Sequence, residues 1–225
     1  MSYQLQFGDL AGYAGMFASG AAVTFALTGV ATVLGLGVGV LGAAACESRY
    51  PMLRALTGGY VEAIRNTPFI VQLFFVFFGL PALGIHVDEY AAAIAAMTLN
   101  LGAYAVEIVR SGMAAVPKGH REAAAALAMS PAETFVHVVL PQAFAKVFPA
   151  LVSQIVITML GSAVVSQISV EDLTYVASYV QSRNFRAFET YFLITGLYLA
   201  MALVLRFVLN AVGRRLFSRG LRGVR

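Results

Sequence analysis

The sequence predicts an all-α integral membrane protein with five transmembrane helices, and composition and charge spacing support this class. Hydrophobic residues make up 60% of the 225 residues, and charged residues make up 12%. A soluble domain carries about twice that charged fraction, roughly 25%. Residues 10–46 and 147–170 contain no charged residue, and a helix needs about 20 apolar residues to cross a bilayer core. Lipid must solvate such segments, since one soluble core cannot bury them all.

The apolar segments predict spanning helices at residues 18–45, 56–80, 90–112, 135–165 and 188–212. The first segment lacks the basic residues that precede a secretory signal's apolar core, so we interpret it as a membrane-spanning helix. It contains Gly35 and Gly39, whose spacing allows two helices to approach closely. Tight packing within the subunit is the simpler interpretation, and a face for a second copy is the alternative.

The positions of Lys and Arg predict the orientation in the membrane. Basic residues follow the first, third and fifth helices: Arg49, Arg54, Lys118, Arg121 and five arginines between residues 214 and 225. Acidic residues dominate the opposite side: Asp9, Asp88, Glu89, Glu171, Asp172 and Glu189. We therefore expect the N-terminus outside and the C-terminus in the cytoplasm. We expect the basic tail, residues 215–225, to lie against anionic lipid and not to bind nucleic acid.

The segment between the third and fourth helices carries the most informative pattern. Residues 121–129 are mostly strong helix formers. Ser130, Pro131 and Glu133 then have the spacing of a capping box that opens the next helix. A short helix between two breaks can lie along the cytoplasmic surface of the membrane. Its alanine-rich face suits a groove on a cytoplasmic partner.

Several motifs identify a family. Glu122-Ala123-Ala124, with Leu127, Ala128 and Leu140-Pro141, resembles the EAA loop of ABC importer permeases. Three further motifs are similar to those of the polar amino acid branch: Arg65-Asn66-Thr67-Pro68, Asn100-Leu101-Gly102-Ala103-Tyr104 with Glu107 and Arg110, and Val116-Pro117-Lys118-Gly119. The motifs occur in the family's order, and the resemblance covers residues 18–214.

This resemblance implies a type I ABC importer transmembrane domain over residues 18–214, in the inner membrane of a bacterium. It implies a dimeric ABC ATPase that binds ATP and Mg²⁺, a second permease, identical or homologous, and an extracytoplasmic amino-acid-binding protein. That protein would dock near Asp88, Glu89 and a loop at 170–187. Residues 118–130 would form the coupling helix that contacts the ATPase, through Lys118, Gly119, Arg121, Glu122, Ala123, Ala124, Leu127, Ala128, Met129 and Ser130.

Ionisable and polar residues inside the predicted spans indicate a translocation path or gate. Glu62 and Arg65 are three residues apart, as are Glu107 and Arg110, so each pair can meet on its own helix. The two pairs form either a structural brace between helices or part of an inner gate. The candidate path or gate residues are Arg65, Thr67, Asn100, Tyr104, Glu107, Ser162 and Ser166. Together with Thr98 and Thr158, the polar ones could line a small cavity, although interhelical hydrogen bonding is the simpler role for each.

The sequence departs from the family at two informative positions. Ala128 replaces the usual Gly, a mild change that keeps the turn small. Leu160 replaces a Lys that could meet a substrate carboxylate, so one hypothesis is that a second, different permease supplies that contact.

Two other functional classes fit the sequence poorly. A membrane enzyme needs clustered reactive groups, whereas the single Cys46 and the three His residues are scattered, which also argues against a metal site. A secondary transporter acting alone commonly shows inverted repeats, which are not apparent here. The motif G-x-x-x-x-G-K-[ST] does not occur, so ATP hydrolysis and its cofactors are assigned to a partner chain.

Overall fold

The structure, a computed structural model, describes residues 5–217, and every regular element in this range is helical. The helices are α1 (Ala14–Cys46), α2 (Pro51–Arg65), α3 (Phe69–Ala82), α4 (Glu89–Ala114), α5 (Lys118–Ala126), α6 (Pro131–Glu133), α7 (Leu140–Gly161), α8 (Leu173–Asn184) and α9 (Ala187–Phe217). 3₁₀ turns at Gly8–Tyr13 and Ser162–Ile168 extend α1 and α7. A π-helical turn at Thr134–Val139 joins α6 to α7. From residue 218 onward, the predicted basic tail lies outside the described residues.

Four helical segments in the described chain are long and apolar enough to cross a bilayer: Gly8–Cys46, Glu89–Ala114, Pro131–Ile168 and Ala187–Leu216. They contain the predicted spans 18–45, 90–112, 135–165 and 188–212. The first and third are longer than predicted, because 3₁₀ turns at Gly8–Tyr13 and Ser162–Ile168 and the capped α6 continue them. A fifth span exists if α2 and α3 together count as one broken span. The all-helical membrane class is therefore confirmed.

The prediction of one continuous second helix at 56–80 is wrong. α2 ends at Arg65, and α3 begins at Phe69. Pro68 explains the break, because its ring disfavours helical geometry at the preceding Thr67 and it has no N–H to donate. Pro68 is extended, with ψ of 139°, and becomes the N-cap of α3. The motif that begins at Arg65 therefore lies at the junction of two helices.

The described residues divide into two compact units, the first of which comprises residues 5–33, 67–98 and 156–205. One of its cores is built around Leu27, Leu73, Met97 and Val165. A second packs Leu10, Phe17, Met159 and Met201 against α8. α8 corrects the prediction of a loop at 170–187. Its buried residues, Leu173, Val176, Ala177 and Val180, have the spacing of one helix face.

The second unit comprises residues 34–66, 99–155 and 206–217. Small residues bring α1 and α4 close together within it. A Cβ added at Gly39 would lie 2.4 Å from the Cβ of Ala105, and one added at Gly35 would lie 3.0 Å from Leu101. Both glycines therefore pack inside the subunit, in agreement with the simpler interpretation of their spacing.

Candidate coupling and translocation sites

The predicted coupling helix at 118–130 contains α5, which has defined breaks at both ends and stops at Ala126, four residues earlier than predicted. Pro117 is extended, with ψ of 138°, and precedes the first residue of the helix. At the other end, the N–H of Met129 donates to the carbonyl oxygen of Ala124, and that of Ala128 donates to Ala125, at 3.1 and 3.0 Å. This pair of hydrogen bonds is a Schellman motif, which satisfies carbonyl groups at the helix end.

Ala128 occupies the position in this motif that glycine favours. Its φ of 56° lies in the left-handed region, where a Cβ is costly by about 1–2 kcal/mol. The expectation that Ala in place of the usual Gly is a mild change is therefore wrong, because the position requires the conformation that glycine adopts freely.

The capping box predicted at Ser130 is confirmed. The Ser130 hydroxyl accepts a hydrogen bond from the Glu133 N–H at 3.3 Å, and the Glu133 carboxylate accepts one from the Ser130 N–H at 2.8 Å. Pro131 stands at the first helical position. The turn at residues 127–130 is therefore constrained from both sides, by the end of α5 and by the start of α6.

Arg121 connects α5 to the end of α1. Its guanidinium forms a salt bridge with the Glu47 carboxylate at 3.2 Å and donates to the Met113 carbonyl oxygen at 3.4 Å. Both side chains of the salt bridge are about 40% exposed, at 39% and 41%. An exposed ion pair contributes little to the free energy of unfolding, typically about 0.2–1 kcal/mol. The main effect of this one is to fix the position of α5 relative to the end of α1.

Most residues of α5 are exposed in the described chain. Ala124 is buried, at 2% exposure, and attaches the helix to its unit. Leu127 is 77% exposed. The other exposed candidate residues are Lys118, Gly119, Glu122, Ala123, Ala128 and Ser130, while Arg121 and Met129 are half-buried. The predicted contact residues thus form one largely open surface with a single buried anchor.

A charged cavity of about 400 Å³ lies between α2 and α4. Glu107 is its central residue, because its carboxylate meets Arg110 at 2.8 Å and Arg65 at 3.5 Å. The Arg65 guanidinium also lies over the Tyr104 ring, 5.4 Å from its centroid. Three candidate gate residues, Arg65, Tyr104 and Glu107, are therefore brought together.

The pairing within this cavity differs from the prediction in one respect. Arg65 pairs with Glu107 on α4, and the structure records no hydrogen bond or ion pair at the Glu62 carboxylate within residues 5–217. Asn66 ends α2 by donating from its side chain to the Glu62 backbone carbonyl at 2.8 Å. The salt bridge from Arg65 to Glu107 joins α2 to α4 and leaves the Glu62 carboxylate available in the cavity. The choice between a structural brace and an inner gate stays a prediction.

Three of the other four candidate path residues belong to the first unit, where they make local hydrogen bonds. Thr67 accepts a hydrogen bond from the buried Gln72 amide at 2.9 Å, within the break before α3. Ser162 donates to the Met159 carbonyl at 2.7 Å, and Ser166 donates to Ala163 at 2.8 Å. Both serine hydroxyls thus bond within their own helix, which corrects the expectation of interhelical bonds. Asn100 is half-buried on α4.

Leu160, which replaces the family's Lys, is 45% exposed in the described chain. Its side chain offers no charge to a ligand, and no neighbouring cation in the same turn replaces it. The hypothesis that a second permease supplies this contact stays a prediction.

A buried polar network at the start of α8 was missed by sequence reasoning. Asp172 is fully buried and caps α8 by accepting from the Tyr175 N–H at 2.8 Å. It also accepts from the Tyr198 hydroxyl at 3.1 Å. Burial raises the pKa of the Asp172 carboxyl to about 6, while these hydrogen bonds partly oppose the rise. An acidic N-cap before the spacing of Leu173, Val176 and Val180 was the available signal.

Comparisons with known proteins agree with this geometry. Residues 31–218 match the family described as "Binding-protein-dependent transport system inner membrane component". The chain is 32% identical over 200 residues to the arginine transport system permease protein ArtQ of Bacillus subtilis (strain 168), covering 88% of this chain and 91% of ArtQ. It is 36% identical over 159 residues to the glutamine transport system permease protein GlnP of Escherichia coli (strain K12), covering 70% of this chain and 73% of GlnP.

A solved structure extends the likeness to the fold. A chain from the crystal structure of an amino acid ABC transporter with histidines has a TM-score of 0.85 and 34% sequence identity, with 95% of this chain and 100% of that chain covered. The match in sequence, the fold and the motif order agree with one another. This chain therefore belongs to the family of inner membrane components of binding-protein-dependent transport systems, the ABC importer permeases.

Proposed function

We propose that this chain is the membrane-spanning subunit through which an ABC importer moves a polar or charged amino acid into a bacterial cell. Its relatives are named for the transport of arginine and glutamine, and a structural neighbour is an amino acid transporter with histidines. In this proposal the N-terminus is periplasmic and the C-terminus cytoplasmic. A separate ATPase supplies the energy, a second permease completes the path, and an extracytoplasmic protein delivers the amino acid.

The observation that carries the proposal is the open surface of α5. Backbone hydrogen bonds close the C-terminal end of the helix, the capping box of α6 follows within four residues, and Arg121 forms a salt bridge with Glu47. A short, rigid and exposed element can transmit a displacement without being deformed. When ATP closes the two ATPase subunits, α5 carries their movement into the spanning helices, which alternate between inward and outward access.

The test uses the complex that co-purifies with the tagged chain, reconstituted into proteoliposomes with its binding protein. We expect ATP-driven uptake of at least one of L-arginine, L-glutamine and L-histidine, and an ATPase among the co-purifying subunits. Glu122→Lys is exposed on α5 and should reduce uptake at least tenfold by repelling or misplacing the ATPase.

Arg54→Glu is the control, because it reverses the charge of another exposed residue that lies outside α5 and outside the expected docking region of the binding protein. Uptake by this control should equal that of the wild type. Equal uptake by Glu122→Lys and the wild type would contradict the assignment of α5. Absence of any ATPase from the purified complex would contradict the proposed function itself.

A further inference from the structure

The charged cavity between α2 and α4 has a ligand-sized volume and an unusual arrangement of charges. Its roughly 400 Å³ falls within the range of about 300–1,000 Å³ typical of small-molecule pockets. Two cations, Arg65 and Arg110, and two anions, Glu62 and Glu107, line it. Its formal charge is therefore balanced, yet these four groups are not paired one to one.

The two arginines share a single carboxylate. Glu107 uses one oxygen for Arg110 at 2.8 Å and the other for Arg65 at 3.5 Å. A guanidinium has five N–H donors, so neither arginine is saturated by this contact. Their side chains are 41% and 51% exposed, which leaves donors accessible from the cavity. This part of the cavity carries an excess of positive charge and suits a carboxylate.

Glu62 supplies the opposite charge one helical turn away. It precedes Arg65 by three residues, so both side chains lie on the same face of α2. Its carboxylate is exposed to the cavity and makes no hydrogen bond or ion pair recorded within residues 5–217. An ionised carboxylate in this setting suits an ammonium group.

The depth of the cavity makes these charges informative. Glu107 lies seven residues before the end of α4, which corresponds to about 10 Å at 1.5 Å per residue. Charged groups at such depth in a membrane protein face water or protein and mark paths for polar ligands. Tyr104, on which the Arg65 guanidinium rests, limits the movement of that arginine.

We propose that this cavity binds the charged backbone of a free α-amino acid on the cytoplasmic side. Its carboxylate would meet Arg65 and Arg110, and its ammonium would meet Glu62. The inference rests on the proposed function, which supplies both the ligand class and the orientation.

The test measures equilibrium binding of L-glutamine, whose only charges are its α-ammonium and α-carboxylate, to the whole complex in lipid nanodiscs without nucleotide or binding protein. N-acetyl-L-glutamine lacks the ammonium. Glu62→Gln should weaken binding of L-glutamine at least tenfold and leave binding of N-acetyl-L-glutamine unchanged. The proposal would be overturned if Glu62→Gln weakened the binding of both ligands equally, or if it weakened the binding of neither.

Arg110→Gln gives an independent result should Glu62→Gln fail to assemble. This variant should weaken the binding of L-glutamine at least tenfold. It should not weaken the binding of L-glutaminamide, which lacks the α-carboxylate. Glu171→Gln, an exposed carboxylate outside the cavity, is the matched control and should bind like the wild type. If the wild-type complex transports amino acids while these variants bind normally, the cavity assignment fails and the proposed function stands.

Discussion

At two residues, backbone conformation or burial changes the energetic properties of a common side chain. Ala128 is small, but its φ of 56° places it where glycine is favoured. Asp172 is a common helix cap, but full burial alters its ionisation. Neither property can be read from residue type, and each leads to a measurable consequence.

Ala128→Gly should stabilise the protein by about 1 kcal/mol, because glycine removes the steric cost of the left-handed conformation. The thermal unfolding midpoint of the purified protein in detergent measures this effect. Ala125→Gly, at an exposed position inside α5, is the matched control and should destabilise by a similar amount. A lower midpoint for Ala128→Gly would contradict the interpretation of the turn.

Asp172 should make stability depend on pH. A carboxyl whose folded pKa is raised to about 6 binds its proton more tightly in the folded state. Its contribution to the free energy of unfolding is therefore most favourable below its ordinary pKa. This contribution, at most about 3 kcal/mol, is lost as the pH rises through about 6. The thermal unfolding midpoint of the wild type, relative to that of Asp172→Asn, should decrease as the pH is raised from 4 to 6.5. Above pH 6.5 the two midpoints should change with pH in parallel. Parallel curves throughout would contradict the raised pKa.

At the scale of elements, helix ends were more informative than helix middles. The capping box at Ser130 was visible in the sequence because its residues are local. Pro68 marks the end of α2, but hydropathy does not reveal it, since apolar residues resume at Phe69 and maintain the hydropathy of a single span. Likewise, α8 is too polar overall to be found by hydropathy, although its buried face has helical spacing.

The approach of α1 to α4 should tolerate no added methyl group at Gly39. Gly39→Ala would place a Cβ 2.4 Å from that of Ala105, so we expect a loss of about 1–3 kcal/mol from overpacking. Gly37→Ala, on the same helix with nothing within 4 Å of its added Cβ, should be neutral or slightly stabilising. Thermal unfolding of the two variants side by side tests this, and equal midpoints would contradict the packing.

The link between α5 and α1 should matter for coupling more than for stability. Arg121→Glu and Glu47→Arg should each lower the number of amino acids transported per ATP hydrolysed, with little effect on thermal unfolding. The double variant reverses the salt bridge and should recover most of the coupling, as a double-mutant cycle of directly interacting residues predicts. Additive losses would instead show that Arg121 acts through a direct contact with the ATPase.

At the scale of the whole molecule, charge asymmetry and apolar length agree with the family assignment. The described segments Gly8–Cys46, Glu89–Ala114, Pro131–Ile168 and Ala187–Leu216 can each cross a bilayer, and α2 with α3 supplies a fifth crossing if taken together. Five crossings would place the two termini on opposite sides, and the distribution of basic residues is the basis for the proposed cytoplasmic C-terminus.

Cysteine labelling tests that orientation. In a Cys46→Ser background, Glu171→Cys should react with a membrane-impermeant maleimide in spheroplasts, and Lys118→Cys should react only in inverted vesicles. Both positions are exposed in the structure, so accessibility within the protein is matched. The reverse labelling pattern would contradict the proposed orientation and the cytoplasmic location of α5.

The sequence by itself determined the membrane class, the positions of four spans, the capped start of α6 and the family. These features depend on local composition or on residues a few positions apart. Only the tertiary structure decided that Arg65 pairs with Glu107, that Gly39 meets Ala105, and that Glu62 keeps an available carboxylate. Helical spacing shows which residues share a face, but the rotation and approach of two packed helices select the partner across from them.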